Sequence, residues 1–147
     1  MDMVYKFRLV GTGKDPFYRD FEIKEDQTFY DFHDTIQTEL GYDKKQLASF
    51  FLANNKWEKG LEINLLDMTE DTFTPVIIMD KTQLCELISE EKQRLLYLFD
   101  FFSDRAFYIE VLSINPPEDD KIYPCCVSGE GTPPRQIIFD DPDLPGI

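Results

Sequence analysis

LLYLFDFFSDRAFYIEVLSI, residues 95–114, is the segment around which we expect the rest of the chain to pack. Two runs of apolar, aromatic and β-branched residues flank the polar centre Ser103-Asp104-Arg105, a pattern typical of two strands joined by a tight turn. The second strand is largely apolar on both faces, as expected of a strand that is covered on both sides. These faces are formed by Phe107, Ile109 and Val111 and by Tyr108, Leu112 and Ile114. The segment therefore predicts a central hairpin.

Length and composition predict a single folded domain. The chain has 147 residues, of which 42% are hydrophobic and 14% aromatic. A domain of this length buries roughly 70% of the surface that its unfolded chain exposes, so it needs no disulfide or metal to fold. The composition is that of a globular protein.

The net charge of −14 restricts the partners that we expect. It repels phosphate backbones and anionic lipids over a Debye length of about 8 Å, so direct nucleic-acid binding is disfavoured and no membrane association is expected. Solubility explains this acidity better than attraction of a basic partner, although that alternative stays open.

Several features favour a reduced, cytoplasmic setting. No basic region followed by a long apolar run opens the sequence, and nowhere do 18 apolar residues follow one another. The three cysteines, Cys85, Cys125 and Cys126, are odd in number and lack the spacing of a disulfide framework.

The first 40 residues predict a hairpin followed by a helix. Residues 3–10 and 17–23 alternate, which directs Tyr5, Phe7 and Leu9 inward and sets Lys6 and Arg8 near Asp20 and Glu22 on the outer face. Gly11-Thr12-Gly13-Lys14 lacks the spacing of a phosphate-binding loop and is better explained as a connection.

The helix should begin at Thr28, which with Asp31 resembles a capping box, and end at Gly41. Phe29, Phe32, Ile36 and Leu40 form its apolar stripe, and Asp31, Asp34, Gln37 and Thr38 its outer face. His33, the only histidine, lies at the edge of the stripe, where a structural role is favoured over a ligand or base role.

The remaining segments complete the predicted fold. Residues 47–53 and 57–63 predict a further strand pair around the turn Asn54-Asn55-Lys56, with Trp57 at the start of the return strand. Residues 76–79 are ambiguous between a strand and an approach to a helix. Leu84, Leu87 and Ile88 then predict a short second helix.

The composition becomes rich in proline and acidic residues after position 114. We therefore divide the chain into a core domain, residues 1–114, and an extended C-terminal segment, residues 115–147, that packs on or extends from it. The predicted fold class is α+β, an antiparallel sheet of hairpins with two helices packed on it.

The candidate polar site consists of Asp100, Asp104, Arg105 and Glu110, on or beside the central hairpin. Paired carboxylates within apolar strands can perform acid–base chemistry if burial raises one pKa. Because Asp100 is close enough to the turn to accept hydrogen bonds from its backbone, the structural explanation is favoured.

No cofactor or metal site is predicted. Adjacent cysteines, such as Cys125 and Cys126, do not easily chelate one ion together, and a nucleophilic cysteine would find only His33 as a base. Lys92, Arg94 and Arg105 beside the hairpin aromatics suggest contacts to single-stranded nucleic acid, but nearby acids interrupt this basic set, and core packing explains the aromatics more simply.

Four stretches together resemble one family. They are residues 28–37 (TFYDFHDTIQ) with Leu40-Gly41-Tyr42, residues 47–51, residues 97–101 (YLFDF) and residues 124–134 (PCCVSGEGTPP). The chain resembles the plasmid pRiA ORF-3-like proteins, also labelled passenger proteins of insertion elements. The resemblance covers nearly the whole chain and implies an α+β fold and a genomic association with plasmids and transposable elements, but no mechanism.

This chain departs from the family pattern at three places. Phe102-Ser103-Asp104-Arg105 replaces the family's Gly-Asp-Gly-Trp, Thr132 replaces its second cysteine, and Arg135 and Gln136 replace acidic residues.

The favoured function is a non-enzymatic module that interacts with another protein. The alternatives are a nucleic-acid-associated accessory protein of mobile elements and a hydrolase or transferase with a cleft lined by Asp100, Glu110 and His33.

Overall fold

The computed structural model describes residues 2–68, 73 and 75–138. They form one eight-stranded sheet in the order β5-β4-β3-β6-β7-β1-β2-β8. The strands are β1 (Val4–Val10), β2 (Tyr18–Lys24), β3 (Ser49–Ala53), β4 (Lys59–Asn64), β5 (Ile77–Ile78), β6 (Arg94–Asp100), β7 (Arg105–Asn115) and β8 (Cys125–Glu130).

The central hairpin predicted from residues 95–114 is confirmed. Strands β6 and β7 are the fourth and fifth in the sheet order and pair antiparallel, with Tyr97 opposite Phe107. The first hairpin is confirmed as well, because β1 and β2 pair antiparallel and set Lys6 opposite Glu22 and Arg8 opposite Asp20. Alternation of apolar and polar residues specified the register of this first hairpin.

The expectation that β7 is covered on both faces is wrong. Phe107, Ile109 and Val111 are buried in the core, but Tyr108 on the other face is 39% exposed. A register shift between Lys6 and Phe7, where β1 pairs with β7, inserts an extra residue, and beyond it Ile114 packs against the core. The face of β7 that points away from the core is therefore partly exposed, whereas Leu96 and Leu98 of β6 on the same side of the sheet are buried.

The helix α1 (Phe29–Leu40) covers the other face and begins and ends where the sequence predicts. Thr28 Oγ1 accepts a hydrogen bond from Asp31 N at 3.1 Å, Asp31 Oδ2 accepts one from Thr28 N at 2.9 Å, and Gly41 ends the helix with a φ of 69°. Gln37 is buried, not on the outer face as expected, and so is His33.

The predicted second helix is absent. Residues 79–88 instead contain two single 3-10 turns, Met79–Lys81 and Leu84–Glu86. Backbone bonds from Leu84 N to Gln27 O and from Cys85 N to Glu25 O, both 2.9 Å, tie this segment to the β2–α1 connection. These tertiary bonds hold the backbone in place of further helical turns, while Leu84 and Ile88 still reach the core.

The expected fold class is therefore wrong. The fold is mostly β: of the described residues, 40% are in strands and 14% are in α-helix or 3-10 turns, and α1 is the one α-helix among them. The sheet is mixed because β5 pairs parallel to β4, with Ile63 opposite Ile77. This resolves the ambiguity of residues 76–79 in favour of a strand.

The C-terminal segment contributes to the same sheet. Strand β8 pairs antiparallel with β2, and Phe21 lies opposite Cys126. Beyond it, Tyr42 donates a 2.5 Å hydrogen bond to the carbonyl oxygen of Pro134. Residues 139–147 of the predicted tail lie outside the described residues. No helix in the described part of the chain is long and apolar enough to span a membrane.

Candidate functional site

The most distinctive surface of the molecule is the sheet face opposite α1, which we call the open face. Its central part carries Arg8 and Val10 from β1 and Tyr108, Glu110 and Leu112 from β7. Within the described ranges, no helix packs on this side. Val10 and Tyr108, which are register partners, are 38% and 39% exposed.

A shallow pocket of about 290 Å³ lies over strands β1 and β7. It is lined by Arg8, Val10, Trp57, Tyr108, Glu110 and Leu112. Apolar and aromatic side chains form most of this lining, with one guanidinium group and one carboxylate among them. That composition is typical of binding pockets, although the volume is near the lower end of their usual range of about 300–1,000 Å³.

Trp57 reaches this pocket from the β3–β4 turn. The side-chain oxygen of Asn54 accepts hydrogen bonds from the backbone of Lys56 at 2.9 Å and of Glu58 at 3.0 Å, and Trp57 adopts a φ of 61°. Trp57 thus lies in the turn before β4, and the expectation that it begins the return strand is wrong. The positive φ falls on Trp57 rather than on the asparagines that suit such a turn.

The indole ring of Trp57 lies against side chains carried by strands β6 and β7. It stacks on Tyr108 with a centroid distance of 4.6 Å and an interplanar angle of 12°. The guanidinium carbon of Arg94 lies 4.6 Å from the indole centroid, and Arg94 Nη1 donates a 2.7 Å hydrogen bond to the carbonyl oxygen of Asn55. Arg94 therefore fixes both the turn and the ring that it carries.

Arg8 forms the opposite wall and is held by Asp20. Its Nε and Nη2 donate to the two carboxylate oxygens of Asp20 at 2.8 and 2.9 Å, and its guanidinium carbon lies 4.7 Å from the Tyr18 ring centroid. Ser128 Oγ also donates to Asp20, at 2.9 Å. Desolvation raises the pKa of Asp20, but the hydrogen bonds from Arg8 and Ser128 outweigh it and the net pKa is lowered. The guanidinium group is thus neutralised in place.

Glu110 lies between two arginines. Its register partners are Arg8 on β1 and Arg94 on β6. Its Oε2 is 3.5 Å from Arg94 Nε, an ion pair that is longer than a good charge-assisted hydrogen bond. Among the described residues Glu110 makes no side-chain hydrogen bond, so its carboxylate keeps acceptor capacity toward the pocket.

Of the four residues predicted as one polar site, the structure brings Asp100 and Arg105 together and places Asp104 and Glu110 in other contacts. Asp100 pairs with Arg105 at 2.8 Å and also accepts a 3.2 Å hydrogen bond from Ser103 N in the turn. Asp104 pairs with Lys59 at 2.9 Å, at the tip of the hairpin. Glu110 lies in the middle of the open face, away from both pairs.

Arg105 has a structural use that the sequence did not reveal. Its Nη2 donates to the carbonyl oxygens of Arg135 and Gln136 at 2.7 and 3.0 Å. Its guanidinium carbon lies 4.8 Å from the ring centroid of Phe99, on the core side of the sheet. Asp100 and Arg105 therefore anchor the C-terminal segment against the hairpin.

His33 is enclosed between α1 and β6. Its Nδ1 lies 2.7 Å from Tyr97 Oη, which also accepts a 2.7 Å hydrogen bond from Gln37 Nε2. Burial lowers the pKa of His33 to about 4, with the Asp34 carboxylate opposing and the Lys44 ammonium adding to this shift. Because Glu110 lies on the opposite sheet face, Asp100, Glu110 and His33 do not line a common cleft.

The cysteines are free and are not brought together around a metal position. Cys126 packs against the core, whereas its neighbour Cys125 is on the other face of β8, as alternation requires. Desolvation raises the pKa of Cys125, and it raises the pKa of Cys126 to about 11. Groups of three or more potential metal ligands do not occur in the part of the chain that the structure describes.

A second pocket, of about 260 Å³, lies on the same face near the start of β1. Ion pairs occupy its rim, because Lys121 Nζ pairs with Glu22 and, at 3.0 Å, with Glu118. The two carboxylates that line it, Glu22 and Glu118, are therefore already paired with Lys121. The pocket beside Trp57 is therefore the better candidate for a ligand.

Sequence reasoning missed this pocket because its parts come from distant segments. The alternation of residues 3–10 and 17–23 did place Arg8 beside Asp20 on an outer face, and that pairing is confirmed. The stacking of Trp57 on Tyr108 joins residues 51 positions apart, and no local pattern predicts it.

Comparison with known sequences identifies the family. The family model described as plasmid pRiA4b ORF-3-like protein matches residues 3–137. The chain belongs to the plasmid pRiA4b ORF-3-like family. This confirms the resemblance seen in the sequence motifs. Comparison with curated proteins gave no match.

A solved structure supports the fold of this plasmid pRiA4b ORF-3-like protein. It is similar to the crystal structure of a protein of unknown function, MM3350 from Methanosarcina mazei Go1, with a TM-score of 0.71 and 23% sequence identity. The match covers 88% of this chain and 70% of the other. At this identity the similarity concerns the fold alone.

Proposed function

We propose that this protein is a non-enzymatic module that binds another protein through the open face. The observation that carries the proposal is the exposed pair Val10 and Tyr108 at the centre of a sheet whose other face is covered by α1. Exposed apolar surface over a pocket is typical of interaction sites, and aromatic residues are enriched in them. The three free thiols and the family membership fit a cytoplasmic protein.

The charges on this face support a protein partner over a nucleic acid. Arg8 and Arg94, which could contact phosphates, are paired with Asp20 and Glu110. Releasing either arginine for a phosphate would leave a carboxylate without its partner, and the chain carries a net charge of −14. Phosphate neutralisation supplies essentially all of non-specific nucleic-acid affinity, so this face is poorly suited to it.

A photo-crosslinking experiment tests the proposal. Benzoylphenylalanine replaces Tyr108 in one variant and Tyr30 in the other. Each variant is produced in cells of the organism that the protein comes from, and those cells are irradiated. Tyr30 is the matched control because it is 40% exposed, against 39% for Tyr108, but lies on α1. We expect a discrete protein adduct at position 108 and none at position 30. Absence of an adduct at 108, or equal labelling at both positions, would contradict the proposal.

Nucleic acid is the second candidate partner, since arginines next to Trp57 and Tyr108 on a sheet face also occur in single-strand binders. It is tested by electrophoretic mobility of DNA and RNA at about 50 mM salt, where electrostatic binding is strong. A salt-sensitive shift that disappears in Arg94→Ala would support this alternative. Unchanged mobility at this salt concentration would eliminate direct contact.

A further inference from the structure

The pocket beside Trp57 presents a hydrogen-bond donor and an acceptor on neighbouring strands. Arg8 uses Nε and Nη2 for Asp20, and within the described chain its Nη1 makes no hydrogen bond. Glu110, its register partner, makes only the 3.5 Å contact to Arg94. Arg8 and Glu110 do not form an ion pair with each other, although both line the pocket.

The opposite charges of Arg8 and Glu110 favour an uncharged ligand group. A carboxylate that approached Arg8 would be repelled by Glu110, and an ammonium group that approached Glu110 would be repelled by Arg8 and Arg94. An amide avoids both penalties, because its carbonyl oxygen can accept from Arg8 and its N–H can donate to Glu110. Each of these bonds involves a charged group and is stronger than a neutral one.

The remainder of the lining is apolar. Val10 and Leu112 flank the polar pair along β1 and β7, and Tyr108 adjoins Trp57. A volume of about 290 Å³ suits a side chain with its adjoining backbone rather than a large cofactor. The apolar surface would therefore receive an aliphatic or aromatic side chain.

Stacking ligands are less well matched. Sugars and nucleobases use an open aromatic plane, but the indole of Trp57 is already stacked on Tyr108 and in contact with the Arg94 guanidinium. The aromatic pair thus serves as a wall of the pocket, because the stack occupies one face of each ring and the Arg94 guanidinium also contacts the indole. This favours a polypeptide over a carbohydrate or a single nucleic-acid strand.

We propose that the pocket binds an uncharged segment of a polypeptide, whose amide group pairs with Arg8 and Glu110 and whose apolar side chains on either side pack on Val10 with Tyr108 and on Leu112. This inference rests on the proposed function and specifies the partner's chemistry. This binding mode can be distinguished from attraction of a basic partner by the net charge. The affinity for a neutral group depends weakly on salt, whereas the affinity for a basic partner depends strongly on it.

A selection from a random peptide library displayed on phage tests the inference, with the full chain as the bait. Enriched peptides are synthesised, and their affinity is measured by fluorescence anisotropy at about 50 and 500 mM salt. We expect sequences with an uncharged, apolar centre whose affinity changes less than about threefold between the two salt concentrations.

Variants locate the binding site. Glu110→Ala removes the acceptor and should weaken binding about tenfold or more, and Val10→Glu, at an exposed position, should abolish it. Tyr30→Ala, on α1, is the matched control and should bind as the parent does. Far-UV circular dichroism and the unfolding midpoint verify that each variant is folded.

Several outcomes would overturn the inference. These are enrichment of basic peptides with salt-sensitive binding, failure to enrich any peptide, equal binding by Val10→Glu, and glycan-array binding that Val10→Glu abolishes. If the crosslink at position 108 captures a protein but the selected peptides are basic, the proposed function stands and this inference fails. If position 108 gives no protein adduct while peptides bind elsewhere, both fail.

Discussion

Acidification should destabilise this protein through His33, and the effect can be isolated because the chain has one histidine. Tyr97 Oη accepts from Gln37 Nε2, so its own proton is directed at His33 Nδ1, 2.7 Å away. This arrangement requires neutral His33 with its proton on Nε2. Protonation would place a charge in a side chain that is only 2% exposed and would take away the acceptor of the Tyr97 hydroxyl.

The direction and size of this destabilisation follow from the pKa values of His33 in the folded and the unfolded protein. Burial lowers the pKa of His33 to about 4 in the folded protein, from 6.5 in the unfolded chain. The unfolded state therefore binds more protons, and the free energy of unfolding falls as the pH drops from about 6.5 toward 4. The full shift corresponds to about 3 kcal/mol, of which about 2 kcal/mol should already be lost between pH 7 and pH 5.

The assay compares urea unfolding of the parent and His33→Gln at pH 7, 6 and 5, followed by far-UV circular dichroism. The amide oxygen introduced by this substitution can still accept the Tyr97 hydroxyl proton but does not titrate, and the carboxylates contribute equally to both proteins. The parent should lose about 2 kcal/mol more than the variant over this range. Parallel pH profiles, or a larger loss in the variant, would refute the buried neutral histidine.

Three further changes test the structural assignments. Thr28→Ala removes the helix N-cap and should lower the free energy of unfolding by about 1 kcal/mol, which corresponds to a melting temperature about 2–4 °C lower. An unchanged melting temperature would contradict the role of Thr28 as the cap. Gly41→Ala should lower the free energy of unfolding by about 1 kcal/mol, because Gly41 has a φ of 69°. Gly13→Ala should leave the free energy of unfolding unchanged in the same measurement, because nothing lies within 4 Å of the added carbon. Arg105→Ala should accelerate amide exchange in residues 132–138, because it removes the donor to two of their carbonyls, and unaltered exchange there would show that other contacts hold the segment.

Local sequence patterns predicted the elements whose stabilising contacts are close in the chain. The capping box at Thr28 and the stop at Gly41 involve backbone atoms within a few residues, so the bounds of α1 could be read directly. Alternation likewise predicted the pairing of β1 with β2. The same approach failed for the second helix, because backbone bonds to Gln27 and Glu25, nearly 60 residues earlier, hold that segment in 3-10 turns.

The candidate site could be predicted only in fragments. The sequence indicated Arg8 beside Asp20, and it singled out Glu110 as an acid in an apolar strand. It grouped Glu110 with Asp100, Asp104 and Arg105 because all four are close in sequence, whereas β7 carries Glu110 away from the turn and alternation along the strand places it on the face opposite Arg105. Proximity along a strand is therefore a poor guide to proximity in a site.

The central hairpin, the helix and the first strand pair were predictable from the sequence alone, because hydrophobic periodicity and capping act over a few residues. Tertiary structure decided which sheet face α1 covers, and with it that Tyr108 is exposed while His33 and Gln37 are buried. It also brought Trp57 onto Tyr108 across strand β6. The physical reason is that these contacts join segments far apart in the chain, and the order of strands in the sheet, which no short-range pattern encodes, determines which of them meet.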